Sequence, residues 1–220
     1  MRIDILTLFP KMFEGFLNES IIKRAIEKGL VEINIINFRE FSKLNNSQVD
    51  DTPYGGGSGM VLMPEPIVDA IESVKTNNSK VILMCPQGKT FNQKKAHELK
   101  EEKHLIFVCG HYEGFDERIR NFVDEEISIG DYVLTGGEIP AMAVSDSIIR
   151  LIDGVIKKES YMEESFSNNL LDYPVYTKPQ EFRGMKVPEI LLSGDHKKID
   201  EWRKAEQLKK TQQKRNDLLN

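Results

Sequence analysis

The stretch SIGDYVLTGGEIP, from Ser128 to Pro140, joins two kinds of sequence. Short apolar runs broken by turns precede it, and one long apolar helical segment follows it. The join contains three glycines, a carboxylate and an aromatic residue, whereas a simple turn needs only one or two such residues. This composition indicates that backbone amides and carbonyls at the join closely approach a ligand.

Outward from this stretch, strand-like and helix-like segments alternate along the first 152 residues. The apolar runs predict strands at Arg2–Phe9, Val31–Phe38, Lys80–Cys85, His104–Cys109 and Asp124–Ile129. Helical periodicity predicts helices at Asn18–Lys28, Pro64–Thr76, Thr90–Glu102 (capped by Thr90), Phe115–Phe122 and Ile139–Ile152. The alternation predicts an α/β fold with a mostly parallel sheet, whose two middle strands are buried on both faces.

The length of 220 residues, of which 40% are hydrophobic, suits a large domain with a small appendage. A polar, irregular stretch follows the last predicted helix, and residues 195–215 have helical character. We therefore expect a large α/β domain over residues 1–155, a linker over 156–177 and a small helical domain over 178–220.

The charge distribution differs between the two ends of the chain. Residues 178–220 contain 11 Lys and Arg against 7 Asp and Glu, a net charge of +4. The whole chain has a net charge of −5, so residues 1–177 carry −9. A basic run over residues 203–215 can hold phosphates through release of counterions. The alternative interpretation is a solvated helix face.

Several classes of protein are disfavoured. No apolar run reaches transmembrane length and the first residues do not resemble a signal peptide, so we expect a cytoplasmic protein with no membrane partner. Two cysteines, Cys85 and Cys109, and four scattered histidines give neither a disulfide framework nor zinc-ligand spacing. No metal site is therefore predicted from these residues.

Three glycine-bearing loops follow predicted strands, at Pro86–Gly88, Gly110–Gly114 and Gly130–Gly137. Because ligands bind at the carboxyl ends of parallel strands, the three loops predict one pocket wall. A fourth glycine-rich segment, Thr52–Gly59, lacks the Gly-Lys-Ser/Thr sequence of the loop that binds nucleoside triphosphates. We interpret it as a hinge or a lid.

These loops, taken with other blocks, resemble the bacterial tRNA (guanine-N1)-methyltransferase family of the SPOUT superfamily. The matching blocks are Asp50–Met60, Pro86–Gly88, Cys109–Gly114, Ser128–Pro140, Ser165-Phe166, Leu170–Pro174, Tyr176–Pro179, Val187-Pro188 and Leu192–His196. The resemblance implies a parallel-sheet SPOUT fold with a deep C-terminal trefoil knot, followed by a small helical domain. Neither periodicity nor composition indicates a knot.

The resemblance also implies S-adenosylmethionine as cofactor, bound in the knot loops. The residues carried over as cofactor-binding are Cys85, Pro86, Gln87, Gly110, Tyr112, Glu113, Ser128, Ile129, Gly130, Asp131, Tyr132, Val133, Leu134, Gly136, Gly137 and Pro140. Glycines allow main-chain groups to reach the adenine edge, Ile129 and Leu134 can enclose its ring, and Glu113 suits a nearby sulfonium. A magnesium ion is also suggested, although no dedicated ligand set is found.

The implied reaction is methylation of N1 of guanosine at tRNA position 37, by direct in-line transfer. N1 carries a proton at neutral pH, so a base must remove it and a cation must stabilise the charge on O6. The resemblance assigns catalytic roles to Arg150, to Glu164 as base and to Glu113. Relatives have Asp where Glu164 stands, and Glu163 or Asp172 remains open as the base.

Residues carried over as substrate-binding are Gly55, Gly56, Gly57, Gly59, Ser165, Lys209 and Lys210. The family forms a homodimer whose active site lies at the subunit interface, and the apolar segment after Pro140 suits a buried or interface helix. His111 has no assigned role. Competing interpretations are a SPOUT methyltransferase acting on ribosomal RNA and an RNA-binding module without catalysis.

Overall fold

The computed structural model describes residues 1–157, 164–166 and 168–219. The chain divides into two compact units, Met1–Ile156 and Lys157–Asn220. The division into a large domain, a linker and a small helical domain at the predicted bounds stays a prediction.

The first unit is built on a five-stranded parallel sheet with the order β2-β1-β6-β5-β7. Its strands are β1 (Arg2–Thr7), β2 (Glu32–Asn37), β5 (Ser79–Thr90), β6 (His104–Cys109) and β7 (Glu125–Ser128). All four strand pairings are parallel. Every residue of β6 is buried, as expected for a strand covered on both faces. The predicted α/β fold with a parallel sheet is confirmed.

Helices cover both faces of this sheet. Helices α1 (Glu14–Asn18), α2 (Ser20–Glu27), α3 (Pro64–Val74), α4 (Gln93–Leu99) and α5 (Glu138–Ile149) connect the strands. Helix α3 packs into one apolar cluster with alternate residues of the strands, including Leu83 and Val108. Helix α5 packs against β1 and β6 and contacts α2 and α4.

The prediction that the third strand stops at Pro86 is wrong, because β5 continues to Thr90. Its pairing with β7 changes register between Met84 and Lys89, so the Pro-Gln-Gly segment forms a bulge within the strand. At Gly88 a Cβ would lie 2.5 Å from the backbone of Glu126, so only glycine lets the bulged strand stay this close to β7. The bulge therefore displaces the chain locally without ending the strand.

The longer strand shortens the next helix, so the predicted cap at Thr90 is also wrong. Thr90 pairs with Ser128 of β7, and α4 begins only at Gln93. Asn92 is the N-cap, because its side chain accepts a hydrogen bond from the Lys95 amide at 3.0 Å. The segment predicted as a helix at Phe115–Phe122 is a 3₁₀ helix, Glu117–Phe122, capped by Asp116.

The long connection after β2 carries a short antiparallel pair, β3 (Asp50–Asp51) and β4 (Val61–Leu62). The glycine-rich segment forms the loop between them and is exposed, with Tyr54 fully open to solvent. Gly55, Gly56, Gly57 and Gly59 all have positive φ angles, which explains why this loop requires glycine.

Helix α5 is buried on one side only within the first unit. Ala141, Val144 and Ile148 are fully buried, whereas Ile139 is 50% exposed. Ala143 is also exposed. Of the two interpretations of this apolar segment, a helix buried on all sides is therefore wrong for the single chain. An interface helix stays a prediction.

The chain returns from β7 to the end of β6 before α5 begins. There, the Gly137 amide donates a hydrogen bond to the Gly110 carbonyl at 2.9 Å. The trefoil knot itself stays a prediction.

The second unit contains a hairpin, β8 (Glu181–Phe182) and β9 (Met185–Lys186), and helix α6 (His196–Lys214). Part of the segment predicted as a linker packs within this unit. The Leu171 amide donates to Thr211 Oγ1 at 2.9 Å, and Lys210 Nζ donates to the Asp172 carbonyl at 2.9 Å. These bonds fix residues 171 and 172 on α6.

Candidate active site

A cleft of about 410 Å³ opens at the carboxyl ends of β5, β6 and β7, within the first unit. It is lined by residues 84–87 of the β5 bulge, 110–115, 117 and 120 after β6, and 127–130, 132–137 and 140 around the β7–α5 connection. The lining includes every predicted cofactor residue except Asp131, which is exposed. The three predicted loops therefore form one cleft, as expected from the topology.

The loop after β6 is tightly constrained. A Cβ on Gly110 would lie 2.5 Å from the Phe115 ring, so the ring packs directly on the glycine backbone. Tyr112 has a φ of 60°, a conformation that is uncommon for a residue other than glycine, asparagine or aspartate. Strain of this kind persists only where neighbouring structure imposes it, and it is enriched in ligand-binding loops.

The end of the glycine-rich loop, at Gly59 and Met60, contacts the loop after β6. The Glu113 amide donates to the Met60 carbonyl at 3.0 Å. A Cβ on Gly59 would lie 2.5 Å from the Glu113 side chain. The absence of a side chain at Gly59 therefore leaves room for the Glu113 carboxylate, which is predicted both to bind the cofactor and to take part in catalysis.

The β7–α5 connection begins with a side-chain turn. The Ser128 hydroxyl donates to the Gly130 carbonyl at 3.0 Å and accepts from the Gly130 amide at 3.2 Å. Gly130 has a φ of 150° and has the Tyr132 ring 2.6 Å from where its Cβ would be. The following residues protrude, with Tyr132 54%, Val133 82% and Leu134 38% exposed.

The connection ends at two glycines with different neighbours. A Cβ on Gly137 would lie 2.7 Å from Cys109 Cα, which is backbone and cannot move aside. A Cβ on Gly136 would lie 2.2 Å from His111 Nε2 and 2.5 Å from a Glu138 carboxylate oxygen. The paired glycines thus allow the connection to pass against β6 and against a buried polar group.

That polar group is the Glu138 carboxylate, which is 1% exposed in the first turn of α5. Thr7 Oγ1 donates to its Oε1 at 2.6 Å, and His111 Nε2 is hydrogen-bonded to its Oε2 at 2.8 Å. The Phe9 ring packs on His111 at a centroid distance of 4.5 Å. Burial, with Glu138 as a second cause, holds the pKa of the Cys109 thiol well above its usual value.

The outer edge of the cleft is fixed by Arg120. Its guanidinium donates to Gln87 Oε1 and to Glu117 Oε2, both at 2.9 Å, and forms an ion pair with Glu126. One of its nitrogens also lies 3.9 Å from Cys85 Sγ. Arg120 therefore joins the β5 bulge to the 3₁₀ helix after β6.

The structure does not place the remaining predicted residues in this cleft. Arg150 is the half-buried C-cap of α5, and its amide donates to the Asp146 carbonyl. Glu164, Ser165, Lys209 and Lys210 belong to the second unit. The alternative base Glu163 lies outside the described residues.

Sequence reasoning missed several residues that build the cleft. Phe115, Glu117 and Arg120 line it, and the bond between Thr7 and Glu138 ties the start of α5 to the sheet, yet none was predicted to have a role. Glu138 lies within the opening stretch, so its position directly after two glycines was an available signal. Thr7 is 131 residues away from its partner, and no local pattern indicates that pairing.

A parallel sheet with strained, glycine-dependent loops around a cleft at its strand ends defines an α/β protein with a site for a small molecule at that edge of the sheet. The whole chain, residues 1–220, matches the family model described as tRNA (Guanine-1)-methyltransferase TrmD. The chain belongs to this family, which confirms the predicted resemblance and the enzyme class.

Individual relatives agree with this assignment. A tRNA (guanine-N(1)-)-methyltransferase of Malacoplasma penetrans is 62% identical over 219 residues, covering 100% of this chain and 97% of the relative. Proteins of the same name from Staphylococcus epidermidis and Macrococcus caseolyticus are 57% and 58% identical, over 100% of this chain and 91% and 92% of theirs.

The described residues offer neither a membrane-spanning helix nor a metal site. Over residues 1–157, 164–166 and 168–219, no helix is both long enough and apolar enough to cross a membrane. In the same part of the chain, no three His, Cys, Asp or Glu side chains converge as a metal site. The residues described therefore offer no ligand set for the suggested magnesium ion.

Proposed function

We propose that this protein transfers a methyl group from S-adenosylmethionine to N1 of guanosine at position 37 of tRNA. The match of the entire chain to the tRNA (guanine-1)-methyltransferase family carries this proposal. The cofactor supplies an electrophilic methyl group bonded to a sulfonium sulfur. The remaining chemistry must come from residues of the chain.

The cleft fits such a cofactor in size and in chemistry. A volume of about 410 Å³ lies within the range of small-molecule sites. Neither Gly110 nor Gly130 carries a side chain, so a cofactor can pack closely against the main chain at these two positions. Ile129 and Leu134 supply apolar surface for the ring, and the Glu113 carboxylate suits the positive sulfonium.

The target nitrogen requires both a base and an electrostatic stabiliser. Guanine N1 carries a proton at neutral pH, and its removal places negative charge on O6. We assign removal of the N1 proton to the Glu164 carboxylate. The Arg150 guanidinium is assigned to stabilise the negative charge on O6. Asp172 remains an alternative base, and bonds from its backbone amide to Ser165 Oγ and from Lys210 Nζ to its carbonyl fix its main chain.

An interface between two copies of the chain is the second part of the proposal. The apolar side chains that protrude beside the cleft, together with the exposed side of α5, form a surface of the kind that homodimers bury. We propose that each active site combines the cleft of one subunit with the segment around Glu164 of its partner. Such a dimer would bring together residues that belong to different units of the chain.

The central experiment compares two tRNA transcripts that differ only at position 37, one with guanosine and one with adenosine. Incubation with radiolabelled S-adenosylmethionine should label only the guanosine transcript, and the label should map to N1-methylguanosine after digestion. Equal labelling of both transcripts, or labelling of neither, would contradict the proposed methylation of guanosine at position 37. A ribosomal RNA fragment in a third reaction tests the competing substrate class.

The base is tested with Glu164→Gln, matched by Glu164→Asp. The glutamine variant should lose turnover under single-turnover conditions and keep cofactor affinity, because it preserves shape but cannot accept the proton. The aspartate variant retains a carboxylate and should retain measurable turnover. Turnover by Glu164→Gln close to that of the unmodified enzyme would transfer the role to another carboxylate.

The tRNA contact on α6 requires a variant that does not disturb the fold. Lys210 holds the Asp172 carbonyl, so its loss would mix a structural effect with a binding effect. Lys204 and Lys209 are exposed. We expect Lys204→Gln with Lys209→Gln to weaken tRNA binding and to reduce its salt dependence, measured by filter binding across a salt series. Unchanged binding would restore the interpretation of a solvated face.

A further inference from the structure

Two histidines stand at opposite ends of β6, and each is bonded through Nε2 to a buried carboxylate. His104, at the first position of the strand, lies 2.9 Å from Asp4 Oδ2, and His111, just after it, lies 2.8 Å from Glu138 Oε2. Asp4 is 0% exposed and Glu138 is 1% exposed. The two pairs are chemically alike but differ in what they join.

The pair at the carboxyl end joins the segments that form the cleft. Glu138 opens α5, His111 belongs to the loop after β6, and Thr7 ends the neighbouring strand β1. The carboxylate therefore ties the β6 loop and the β7–α5 connection to the sheet at a single point. Both tied segments line the cleft.

A buried carboxylate is a costly way to pack a helix. Burial of a charged or polar group is unfavourable unless hydrogen bonds compensate, and apolar residues of similar volume usually pack at least as well. Here, two hydrogen bonds compensate, and Gly136 leaves the space in which they form. Directional bonds fix the separation and orientation of the two loops, which apolar packing alone does not do.

We propose that His111 is a positioning residue for the cofactor, acting through Glu138. It holds the loop after β6 against the β7–α5 connection at the spacing that the cofactor requires. Its ring is kept in place by Phe9 on one side and by the carboxylate on the other. The inference rests on the proposed binding of S-adenosylmethionine in the cleft.

The test compares His111→Phe with His111→Gln. Phenylalanine keeps a ring against Phe9 but removes the bond to Glu138, whereas the glutamine amide can place a donor where Nε2 stands. Titration of the purified protein with S-adenosylhomocysteine by calorimetry, without tRNA, should show Kd raised about tenfold in His111→Phe, the scale of a buried group left unpaired. His111→Gln should remain within about threefold of the unmodified protein.

Steady-state kinetics distinguish a positioning role from a general loss of stability, which would not raise the KM for the cofactor alone. The KM for S-adenosylmethionine should rise in His111→Phe, while kcat at saturating cofactor and the KM for tRNA stay within about threefold. His104→Phe is the matched control, because it removes the equivalent bond at the far end of the same strand. It should lower the thermal midpoint of unfolding and leave Kd unchanged.

The outcomes separate the inference from the function on which it rests. Unchanged Kd in His111→Phe, an equal rise in His104→Phe, or a failure of His111→Gln to restore binding would each overturn the positioning role while the cofactor assignment stands. Absence of S-adenosylhomocysteine binding by the unmodified protein would overturn the cofactor assignment and, with it, the role of His111.

Discussion

Gly137 is a position at which a single added methyl group should disturb both the fold and the cleft. An alanine Cβ there would overlap Cys109 Cα and the Gly110 nitrogen, at 2.7 and 2.9 Å, and backbone cannot rotate away. We expect Gly137→Ala to lower the free energy of unfolding by roughly 1–3 kcal/mol, as overpacking does. Cofactor affinity should fall as well, because the connection that lines the cleft must shift.

Gly15 provides the control for that substitution. It lies in α1 with no heavy atom within 4 Å of its added Cβ. Gly15→Ala should therefore be neutral or stabilising, by up to about 1 kcal/mol. Chemical denaturation of both variants measures the difference, and equal stability of the two proteins would contradict the proposed overlap.

Cys109 should make stability fall at alkaline pH. Burial keeps its pKa in the folded protein well above that of an unfolded thiol, which is about 8.5. Above that pH the unfolded chain releases the proton and the folded chain keeps it, so the free energy of unfolding declines by up to about 1.4 kcal/mol per pH unit. Below the unfolded pKa the contribution is fully present.

The measurement compares the unmodified protein with Cys109→Ala between pH 7 and 10. The variant is less stable at neutral pH, because it loses buried volume, but its stability should decline less steeply as pH rises. Tyrosine and lysine titrations are common to both proteins and cancel in the difference. Parallel pH profiles would exclude a contribution from the thiol.

At the residue scale, local chemistry and distant pairing were not equally predictable. The glycine loops could be found because each glycine is a local requirement of the backbone, and these loops do meet in one cleft. The bond between Thr7 and Glu138 spans 131 residues and depends on strand order. The tRNA contact predicted for Lys210 stays a prediction, and the bond from its ammonium to the Asp172 carbonyl is a second role that no local pattern indicates.

At the scale of elements, Thr211 fastens the segment around Leu171 to α6. Its hydroxyl, fully buried, accepts from the Leu171 amide and donates to the Gln207 carbonyl at 2.7 Å. Thr211→Val keeps the shape but leaves that amide without its partner, which should cost about 1–3 kcal/mol. Hydrogen exchange should accelerate at Leu171 and Asp172.

Gln212→Ala is the matched variant, one position along the same helix at an exposed site. It should leave exchange at Leu171 unchanged. If both substitutions accelerate exchange equally, the effect belongs to α6 as a whole rather than to the hydroxyl.

The wrongly predicted end of β5 and start of α4 share one physical cause. Pro86 and Gly88 locally favour a strand end, and Thr90 locally favours a helix cap. Pairing with β7 overrides both preferences, because it satisfies backbone groups of Lys89 and Thr90 that a turn would leave to water. By contrast, β6 has no such competition, and its predicted bounds, His104–Cys109, match the structure.

For the whole molecule, the sheet could be predicted because alternating strands and helices permit few architectures. The sequence indicates the oligomeric state less clearly than the sheet. An exposed apolar side chain such as Val133 is informative only once the fold shows where it lies. The proposed sharing of active sites between subunits is therefore the property most in need of a direct test.

Mixing two inactive variants provides that test. If Arg150 of one subunit works with Glu164 of its partner, a mixed dimer of Arg150→Ala and Glu164→Gln contains one site with both substitutions and one with neither. Random exchange makes half of the dimers mixed, so about a quarter of all sites should be intact. Methylation of the guanosine transcript should then recover to about that fraction after the two proteins are unfolded and refolded together.

The opposite arrangement makes a different prediction. If both residues act within one subunit, every site in every dimer carries one substitution, and mixing restores nothing. Refolding each variant alone controls for incomplete inactivation, and refolding the unmodified protein gives the yield against which recovery is scaled. Activity near a quarter establishes a shared site because no arrangement within a single subunit can regenerate an intact pair of residues.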